Sequence, residues 1–502
     1  MKYESTIVKC LFFTIIIGLI IIAIYVLYID NYKSTEGTEE YIKEEVYKNS
    51  ISIGIINFDT LNPLLTKNKD LQYILQLVYE PLIKISVDFD LESGIAKEWS
   101  KIDETTYLIK LDEDKFWQDG TKFTSRDVEF TITTLQNQWL NSIYYENVEN
   151  IDEVIIIDEY TLKIVLNEST DFFEYKLVFP IIAKHQYDET LNEVSSMPVG
   201  TGGYSFSEIR NTSFSLKNDN AKTPILNVLI YDKINTIYSE FAKQKIDIML
   251  TGNVNFNKYV GKMGYKTKII PDRKMDYILI NENNEFLKNK NIREVINLII
   301  NRKDINYAVY NNKYVENTAF ISSEQYNPIK AKDILISDGW TYKNDGWYKN
   351  NKKLVLNLSV NYEQENRVKV AEMIKEEAES IGIKINIIKV DSSNYKYALK
   401  NRYYDLILTG IIMPLEPNYS TLFVEPNETI TLLLKEIKNI DNIDVRKEKI
   451  EELKNEYQLN IPFISLYTNS NILLLNSNLK GDFNCNWFSI FGNIENWYAN
   501  SN

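Results

Sequence analysis

The segment MPVGTGGYSF contains three glycines within four residues, Gly200, Gly202 and Gly203, and glycines at such spacing can cradle a phosphate group. A P-loop has the pattern G-x-x-x-x-G-K-[ST] and leads into a helix, whereas a dinucleotide-binding loop has G-x-G-x-x-G between a strand and a helix. Here the loop contains no lysine, and the residues that follow it, YSFSEI, alternate as a strand does. We therefore expect a turn in which the glycines adopt positive φ and allow close approach of the backbone.

Other residue types that perform catalysis are sparse or lack partners. The chain has one histidine, His185, and two cysteines, Cys10 and Cys485. It contains no G-x-S-x-G, H-E-x-x-H, protein-kinase or S-x-x-K motif set. These observations predict a protein that is not an enzyme, with no catalytic residues, no metal site and no cofactor.

Length and charge narrow the class of protein further. With 502 residues, 44% of them hydrophobic, the chain is long enough for two or three packed units. Its 56 basic and 70 acidic residues give a net charge of −14, which repels a phosphate backbone. We therefore expect no nucleic acid partner.

The N-terminal segment predicts a membrane anchor. The run from Leu11 to Ile29 contains no charged residue, and at about 1.5 Å per residue it nearly spans the hydrocarbon core of a bilayer. Lys2 and Lys9 precede the run and acidic residues follow it, which places the N-terminus inside the cell. We predict a cytoplasmic tip and transmembrane helix at 1–30, a spacer at 31–50, and a single-pass protein of the cell membrane with its main domain on the extracellular face.

The exterior part alternates between strand and helix patterns. ISIGII predicts a strand, and DLQYILQLVYEP predicts a helix that Pro81 ends. A strand, helix, strand unit follows between Ile225 and Gly252, a second one occupies Leu354–Ile387, and YDLILTG predicts one more strand. Each parallel pair requires a helical crossover and a covered sheet, so we predict an α/β protein of two lobes, each with its own sheet.

A different pattern interrupts the first lobe. Between Val87 and Tyr187, short alternating strands surround a helix that begins at a capping box formed by Thr124 and Asp127. We predict an extra α+β subdomain inserted at about 87–195. The predicted organisation is lobe I at 51–275, lobe II at 276–460 and a return to lobe I at 461–502.

The order of these segments resembles the extracytoplasmic solute-binding proteins, family 5, of peptide and nickel ABC importers. LNPL with LVYEPLI resembles the opening of the family, and GIAKEWSKIDETTYLIKLDEDKFWQDGTKFTSRDVEFTITTL resembles its most characteristic stretch. PVGTGGYSF is similar to the family's P-V-G-T-G-P-Y, and NIENWY to its C-terminal ending. The resemblance implies a periplasmic-binding-protein-like fold of type II, of the large cluster that carries an extra α+β subdomain.

The resemblance also implies how the protein works. A peptide, most plausibly an oligopeptide, is expected to be enclosed between lobes that close about Pro271–Ile280 and Asn460–Tyr467, and to be delivered to ABC permease subunits served by a separate ATPase. We expect a monomer. In sheets of this kind ligands lie beyond the carboxyl ends of strands, and together with the crossover this predicts a ligand-binding set of Asn57, Phe58, Gly252, Asn253, Tyr277, Asn281, Thr409, Gly410 and Glu416.

Two alternatives remain open. Because the anchor is not a lipidated cysteine, the exterior domain is also compatible with a sensor of a signal peptide that imports nothing. A binder of nickel or of a metallophore is the other alternative. Relatives that bind peptides usually have Trp and Asp after the segment that resembles LTG, whereas this chain has IIMPLEPNY with Glu416 as the nearest acid.

Overall fold

The structure is a computed structural model, and the residues it describes are 48–187, 197–251, 259, 261–316, 320, 326–440 and 442–499. The predicted anchor and most of the predicted spacer lie outside these residues. Among the described residues, no helix is both long enough and apolar enough to cross a membrane.

Helices and strands alternate along the described residues. The helices are α1 (Lys69–Leu75), α2 (Ser125–Leu135), α3 (Tyr145–Val148), α4 (Ile234–Ala242), α5 (Lys290–Leu298), α6 (Arg302–Tyr310), α7 (Pro328–Ser337), α8 (Glu365–Ser380), α9 (Ser392–Asn401), α10 (Glu428–Asn439) and α11 (Ile443–Asn460). The strands are β1 (Ser50–Ile56), β2 (Ile83–Ile85), β3 (Leu91–Ser93), β4 (Ala96–Lys101), β5 (Thr106–Leu111), β6 (Ile151–Ile156), β7 (Thr161–Leu166), β8 (Ser205–Arg210), β9 (Ser213–Lys217), β10 (Ile225–Tyr231), β11 (Ile248–Thr251), β12 (Tyr265–Ile280), β13 (Val315–Glu316), β14 (Thr341–Lys343), β15 (Gly346–Lys349), β16 (Lys352–Lys353), β17 (Val355–Asn361), β18 (Lys384–Val390), β19 (Leu406–Ile412), β20 (Phe463–Asn476), β21 (Leu479–Lys480) and β22 (Tyr498–Ala499).

Each predicted strand, helix, strand unit forms a parallel part of the main sheet. In the first, β1 pairs in parallel with β10 on one side and β11 on the other, and α4 is the crossover. In the second, β17 pairs in parallel with β18 and β19, and α8 is the crossover from β17 to β18. The helix of this second unit ends where predicted, because Gly382 adopts φ 88° just after it.

The two parallel parts belong to one hydrogen-bonded sheet, which differs from the separate sheets that the sequence predicts. Its strand order is β18-β17-β19-β12-β20-β11-β1-β10-β9-β8, with β13 also paired to β20. The reason is that β12 and β20 are long antiparallel strands that run through both parts. Their register is interrupted between Pro271 and Met275, opposite Ser470 and Thr468, so a bulge separates the two halves of the ladder.

The predicted inserted subdomain contains a small antiparallel sheet of order β4-β5-β7-β6 with α2 beside it. The capping box at the start of α2 forms as predicted: the backbone N–H of Thr124 donates to Asp127 at 2.9 Å. The apolar side chains that repeat along the helix, Val128, Ile132 and Leu135, are buried. Local capping and amphipathic spacing therefore account for this element.

The helix after β1 is shorter than the sequence predicts. It ends at Leu75, well before Pro81, although Val78 is still buried as the spacing requires. Beyond the helix, the carbonyls of Leu77 and Val78 accept hydrogen bonds from the N–H groups of Tyr204 and Gly202, at 3.1 and 2.8 Å. In a longer helix the carbonyl of Leu77 would accept from the N–H of residue 81, but Pro81 has none, and the glycine turn provides the donor instead.

The glycine turn is explained by space, and the prediction of positive φ is wrong. None of Gly200, Gly202 and Gly203 has positive φ. A Cβ atom at Gly200 would collide with the carbonyl oxygen of Val78, and one at Gly202 with that of Leu77. At Gly203 the nearest atom would be 3.3 Å away, so this position is less constrained. The predicted close backbone approach is confirmed at the first two glycines only.

A helix pair in the predicted lobe II contacts the predicted subdomain. Helices α10 and α11 pack on each other, and Arg446 of α11 is buried with its Nη2 atom 3.3 Å from Glu174. The guanidinium group of Arg446 also lies 5.2 Å from the ring centre of Phe172. Nearby, Lys447 pairs with Asp90 at 2.6 Å. We call these contacts the latch.

Candidate ligand-binding site at the lobe junction

A cavity lies where the bulge of β12 meets the end of β19 and the start of α8. Its volume is about 490 Å³, within the range of roughly 300–1,000 Å³ that small-molecule sites occupy. We call it the junction cavity. Its lining includes Lys274, Met275, Asp276, Tyr310, Tyr314, Gln364, Glu365, Asn366, Arg367, Gly410, Ile411, Ile412 and Asn469.

An ion pair forms one wall of the junction cavity. The Nε atom of Arg367 donates to Asp276 Oδ2 at 3.1 Å, and its Nη2 atom donates to Oδ1 at 2.5 Å. Both side chains are mostly buried, with exposed fractions of 19% and 17%. Burial alone lowers the pKa of Arg367, but the hydrogen bonds and charge of Asp276 outweigh burial and raise it. The wall is therefore polar but has no net charge of its own.

The missing side chain of Gly410 leaves the space that this ion pair occupies. Asp276 and Gly410 are directly opposite each other in the antiparallel ladder of β12 and β19. A Cβ atom at Gly410 would collide with Arg367 Nη2 and Asp276 Oδ1. Since Gly410 does not have positive φ, the need for glycine comes from space and not from backbone conformation.

Tyr310 and Tyr314 form a second wall beside the ion pair, and the buried ring of Tyr467 packs against both. The hydroxyl groups of Tyr310 and Tyr467 are 2.8 Å apart, and the ring centres of Tyr310 and Tyr314 are 3.9 Å apart. Burial is the main reason that the pKa of each of these three tyrosines is raised. All three therefore remain protonated near neutral pH, and Tyr310 and Tyr314 give the cavity a neutral, aromatic surface.

The edge of β19 faces the junction cavity with its main chain. The N–H of Met413 donates to the carbonyl of Arg273, and the N–H of Asn281 donates to the carbonyl of Asp405. In an antiparallel pair, residues that exchange hydrogen bonds alternate with residues that do not, so these two bonds fix which residues of β19 bond to β12. By that alternation the main-chain groups of Gly410 and Ile412 point away from β12. Parallel pairing of β17 with β19 is confined to Leu406 and Ile407. No strand within the described part of the chain pairs with β19 at 410–412 on this side, so an extended ligand can add to the strand there.

The structure brings three of the predicted binding residues together. Tyr277 and Thr409 are opposite each other on β12 and β19, next to Gly410. Gly410 lines the cavity, whereas Tyr277 and Thr409 are buried. The ring of Tyr277 packs against Phe463, and burial raises the pKa of Tyr277 to about 12.

The other described members of the predicted set lie elsewhere. Asn57 is exposed at the end of β1 and donates to Asp232 at 2.8 Å, and the ring of Phe58 packs edge-on against Phe214. Asn281 donates to the carbonyl of Tyr404 at 2.9 Å, at the end of β12 that is remote from the cavity. Glu416 is half-buried beyond the end of β19.

Gly252 and Asn253, also in the predicted set, lie outside the described residues. Of the residues that line the junction cavity, only Gly410 belongs to the predicted set; Asp276, Arg367 and Tyr310 are among those that do not. Asp276 directly precedes Tyr277 in the predicted crossover, and Arg367 follows the predicted strand end at Asn361. The charge of these two residues is the feature of the sequence that points to a role in the site, although no local pattern indicates that the two residues meet.

Comparison with known proteins places this chain in a family. Residues 90–430 match the family described as "Bacterial extracellular solute-binding proteins, family 5 Middle". The nickel-binding periplasmic protein of Escherichia coli K12 is 25% identical over 373 residues, which cover 68% of this chain and 70% of that protein. The oligopeptide-binding protein AppA of Bacillus subtilis 168 is 23% identical over 499 residues, covering 89% and 91%.

Solved structures show the same fold. The crystal structure of a nickel ABC transporter protein from Bacillus halodurans superposes with a TM-score of 0.71 at 18% identity, covering 86% of this chain and 96% of that one. The fold is thus the two-lobed, mixed α/β architecture of periplasmic binding proteins. The chain belongs to the family 5 bacterial extracellular solute-binding proteins, the substrate-binding components of ABC importers. Its relatives are binding proteins and not enzymes, and the family is extracytoplasmic.

Proposed function

We propose that this protein captures peptides, most plausibly oligopeptides, in the junction cavity and delivers them to an ABC permease. The observation that carries the proposal is the edge of β19 at 410–412, which lines the cavity and which no strand among the described residues covers. An extended peptide can add to such an edge through main-chain hydrogen bonds, each contributing about 0.5–1.5 kcal/mol net. Main-chain recognition of this kind requires little of the peptide's sequence.

The charges around the cavity favour a peptide over a metal ion. Its lining contains two cationic residues, Lys274 and Arg367, and two acidic ones, Asp276 and Glu365. Asp276 is already occupied by Arg367. Among the described residues, no group of three His, Cys, Asp or Glu side chains is placed to hold a metal ion. The balanced lining therefore suits a ligand that is neutral overall and rich in amide groups.

Binding by the strand edge is tested at Ile412. Ile412→Pro removes a main-chain donor that β12 does not use, and proline is tolerated at such edge positions. Ile412→Ala is the matched control, since it shortens the same side chain but keeps the N–H group. We expect a broad peptide pool to raise the melting temperature and change the tryptophan fluorescence of the full-length chain, with affinity about two- to tenfold weaker in the proline variant only.

Two results would count against the proposal. If the peptide pool changes neither the melting temperature nor the fluorescence of the wild-type chain, the peptide assignment fails. If Ni²⁺ or a nickel chelate produces the change and peptides do not, the nickel alternative replaces it. The names of the relatives above support either ligand, so both arms belong in the same experiment.

We also propose that residues 11–29 tether the protein to the cell membrane with its main domain outside, and that the binding unit is a monomer. Sequence hydropathy supports this proposal. Alkaline carbonate extraction of cell membranes should leave the full-length chain in the pellet, and protease added to intact cells should digest its exterior part. Release by carbonate would refute the tether. A chain that binds peptide yet supports no uptake would instead favour the sensor alternative.

A further inference from the structure

Basic residues gather at one end of the predicted lobe I. The N–H of Lys48 donates to the carbonyl of Ala499 at 2.7 Å, and Ala499 of β22 pairs with Leu479 of β21. The carbonyl of Leu479 in turn accepts a hydrogen bond from Lys266 Nζ at 2.8 Å. Burial lowers the pKa of Lys266, and the charge of Lys480, the next residue of β21, lowers it further. This short strand pair thus brings three lysines together.

The turn that leads into β12 lies beside the same strand pair. The N–H of Ser477, just before β21, donates to the carbonyl of Gly264 at 3.0 Å. In this turn the side chain of Lys262 is exposed, and Met263 is 100% exposed. The turn therefore adds a fourth cation and a fully exposed apolar side chain.

The loop before β10 adds a fifth lysine on the other side. Lys222 Nζ lies 5.1 Å from the ring centre of Tyr498 in β22, and Tyr498 is opposite Lys480 in β21. We call the resulting surface the basic patch, and its members are Lys48, Lys222, Lys262, Met263, Lys266 and Lys480.

Most of the charge in the basic patch is unpaired. Of its lysines, only Lys48 has an acidic partner among the described ion pairs, the buried Asp247 at 3.6 Å. Asp482 and Glu495 lie at the margin of the patch and belong to no ion pair within the described part of the chain. A net positive surface of this kind, in a chain whose net charge is −14, favours an anionic partner.

We propose that the basic patch docks on anionic lipid headgroups at the membrane surface. The inference rests on the tether proposed above: residues 11–29 precede Lys48 along the chain, so the chain enters the fold at this patch. Each lysine close to an anionic bilayer strengthens binding about fivefold, and an exposed apolar side chain such as Met263 can enter the headgroup region.

Docking at the basic patch leaves the junction cavity accessible. Strand β12 begins beside the patch at Tyr265 and reaches the cavity at Lys274, a stretch of strand that spans about 30 Å. The patch and the lining of the cavity have no residue in common. The docked protein would therefore keep its cavity clear of the lipid while it captures peptide.

The test places the full-length chain in lipid nanodiscs made of neutral POPC alone or of POPC mixed with anionic POPG. Mass spectrometry then measures how fast each lysine is acetylated. We expect Lys262 and Lys480 to react at least about threefold more slowly in the discs that contain POPG, and about 0.5 M NaCl to remove the difference. Lys332 and Lys396, exposed lysines of the predicted lobe II, should react equally in both discs.

Charge-reversed variants provide the matched control. Lys262→Glu combined with Lys480→Glu should abolish the protection that POPG gives to Lys222, while Lys332→Glu combined with Lys396→Glu should leave it unchanged. Equal acetylation of the patch in the two kinds of disc, or protection that survives the first pair of substitutions, overturns the proposal. Protection in POPC discs by millimolar inorganic phosphate also overturns it, because the patch would then be a site for free anions.

The same readout separates this inference from the tether. A full-length chain that enters neither kind of disc refutes the tether. Acetylation of that chain mixed with POPG or POPC vesicles then decides the patch: slower reaction of Lys262 and Lys480 with POPG supports it, and equal reaction overturns it.

Discussion

The ion pair between Asp276 and Arg367 should behave as one energetic unit together with Gly410. Asp276→Asn leaves a mostly buried guanidinium group without its counter-ion, and Arg367→Met does the same to the carboxylate. Breaking a fully buried pair costs about 3–5 kcal/mol. The exposed fractions of 19% and 17% reduce this, so we expect each single variant to lose about 2–3 kcal/mol of unfolding free energy.

The double variant should lose much less than the sum of the two single losses. With both charges removed no unpaired charge remains, and we expect a coupling free energy of about 1.5–2.5 kcal/mol in urea unfolding of the full-length chain. Gly410→Ala provides an independent check, because its methyl group collides with both partners of the pair. It should destabilise the wild type more than the double variant, because Arg367→Met removes the nearest colliding group while the side chain at position 276 keeps its shape. Additive losses, or an equal effect of Gly410→Ala in both backgrounds, would refute this account of the junction.

Three further predictions concern stability. Gly200→Ala places a methyl group against a backbone carbonyl and should cost about 1–3 kcal/mol, whereas Gly203→Ala should change stability by less than about 0.5 kcal/mol; chemical denaturation of the two variants side by side checks this. Burial raises the pKa of Asp70 from 3.8 to about 6, so the folded state binds this proton more tightly than the unfolded state does. Asp70 therefore stabilises the fold below pH 4, and this contribution is lost as the pH rises through about 6. Asp70→Asn should be more stable than wild type at pH 7 by about 1–2 kcal/mol and less dependent on pH in melting curves recorded from pH 4 to 8; equal curves would contradict it. In the latch, Glu174→Gln leaves the buried Arg446 without its counter-ion and should cost about 1–2 kcal/mol, which thermal unfolding beside Glu174→Asp as a charge-retaining control can measure.

The elements that could be predicted from sequence are those that depend on neighbouring residues. Strand β17 alternates, α8 has one apolar face, and Gly382 ends that helix with positive φ, so the whole unit can be read from its own residues. The capping box at Thr124 and Asp127 is equally local. The two strand, helix, strand units predict the two-lobed arrangement, the family resemblance implies it as well, and the solved relatives show it.

What could not be predicted depends on contacts between distant residues. Asp276 and Arg367 are separated by 91 positions, and no pattern in either segment indicates that they meet. Helix α1 ends earlier than predicted, and just beyond it the carbonyl of Val78 accepts from Gly202, far along the chain, a contact that no local pattern indicates. Similarly, Asn57 and Asn281 follow strands as ligand-binding residues often do, but their side-chain amides are used by neighbouring acceptors.

Native mass spectrometry of the freshly purified full-length chain tests the central claim most directly. Binding proteins that enclose a ligand between lobes often retain it through purification. We predict that the wild-type protein carries added masses that correspond to peptides, that these exchange for an added peptide pool, and that Ile412→Pro retains less of them than Ile412→Ala. A protein that carries nickel or a metal chelate in place of peptides, or that takes up no peptide from the pool, would contradict the account.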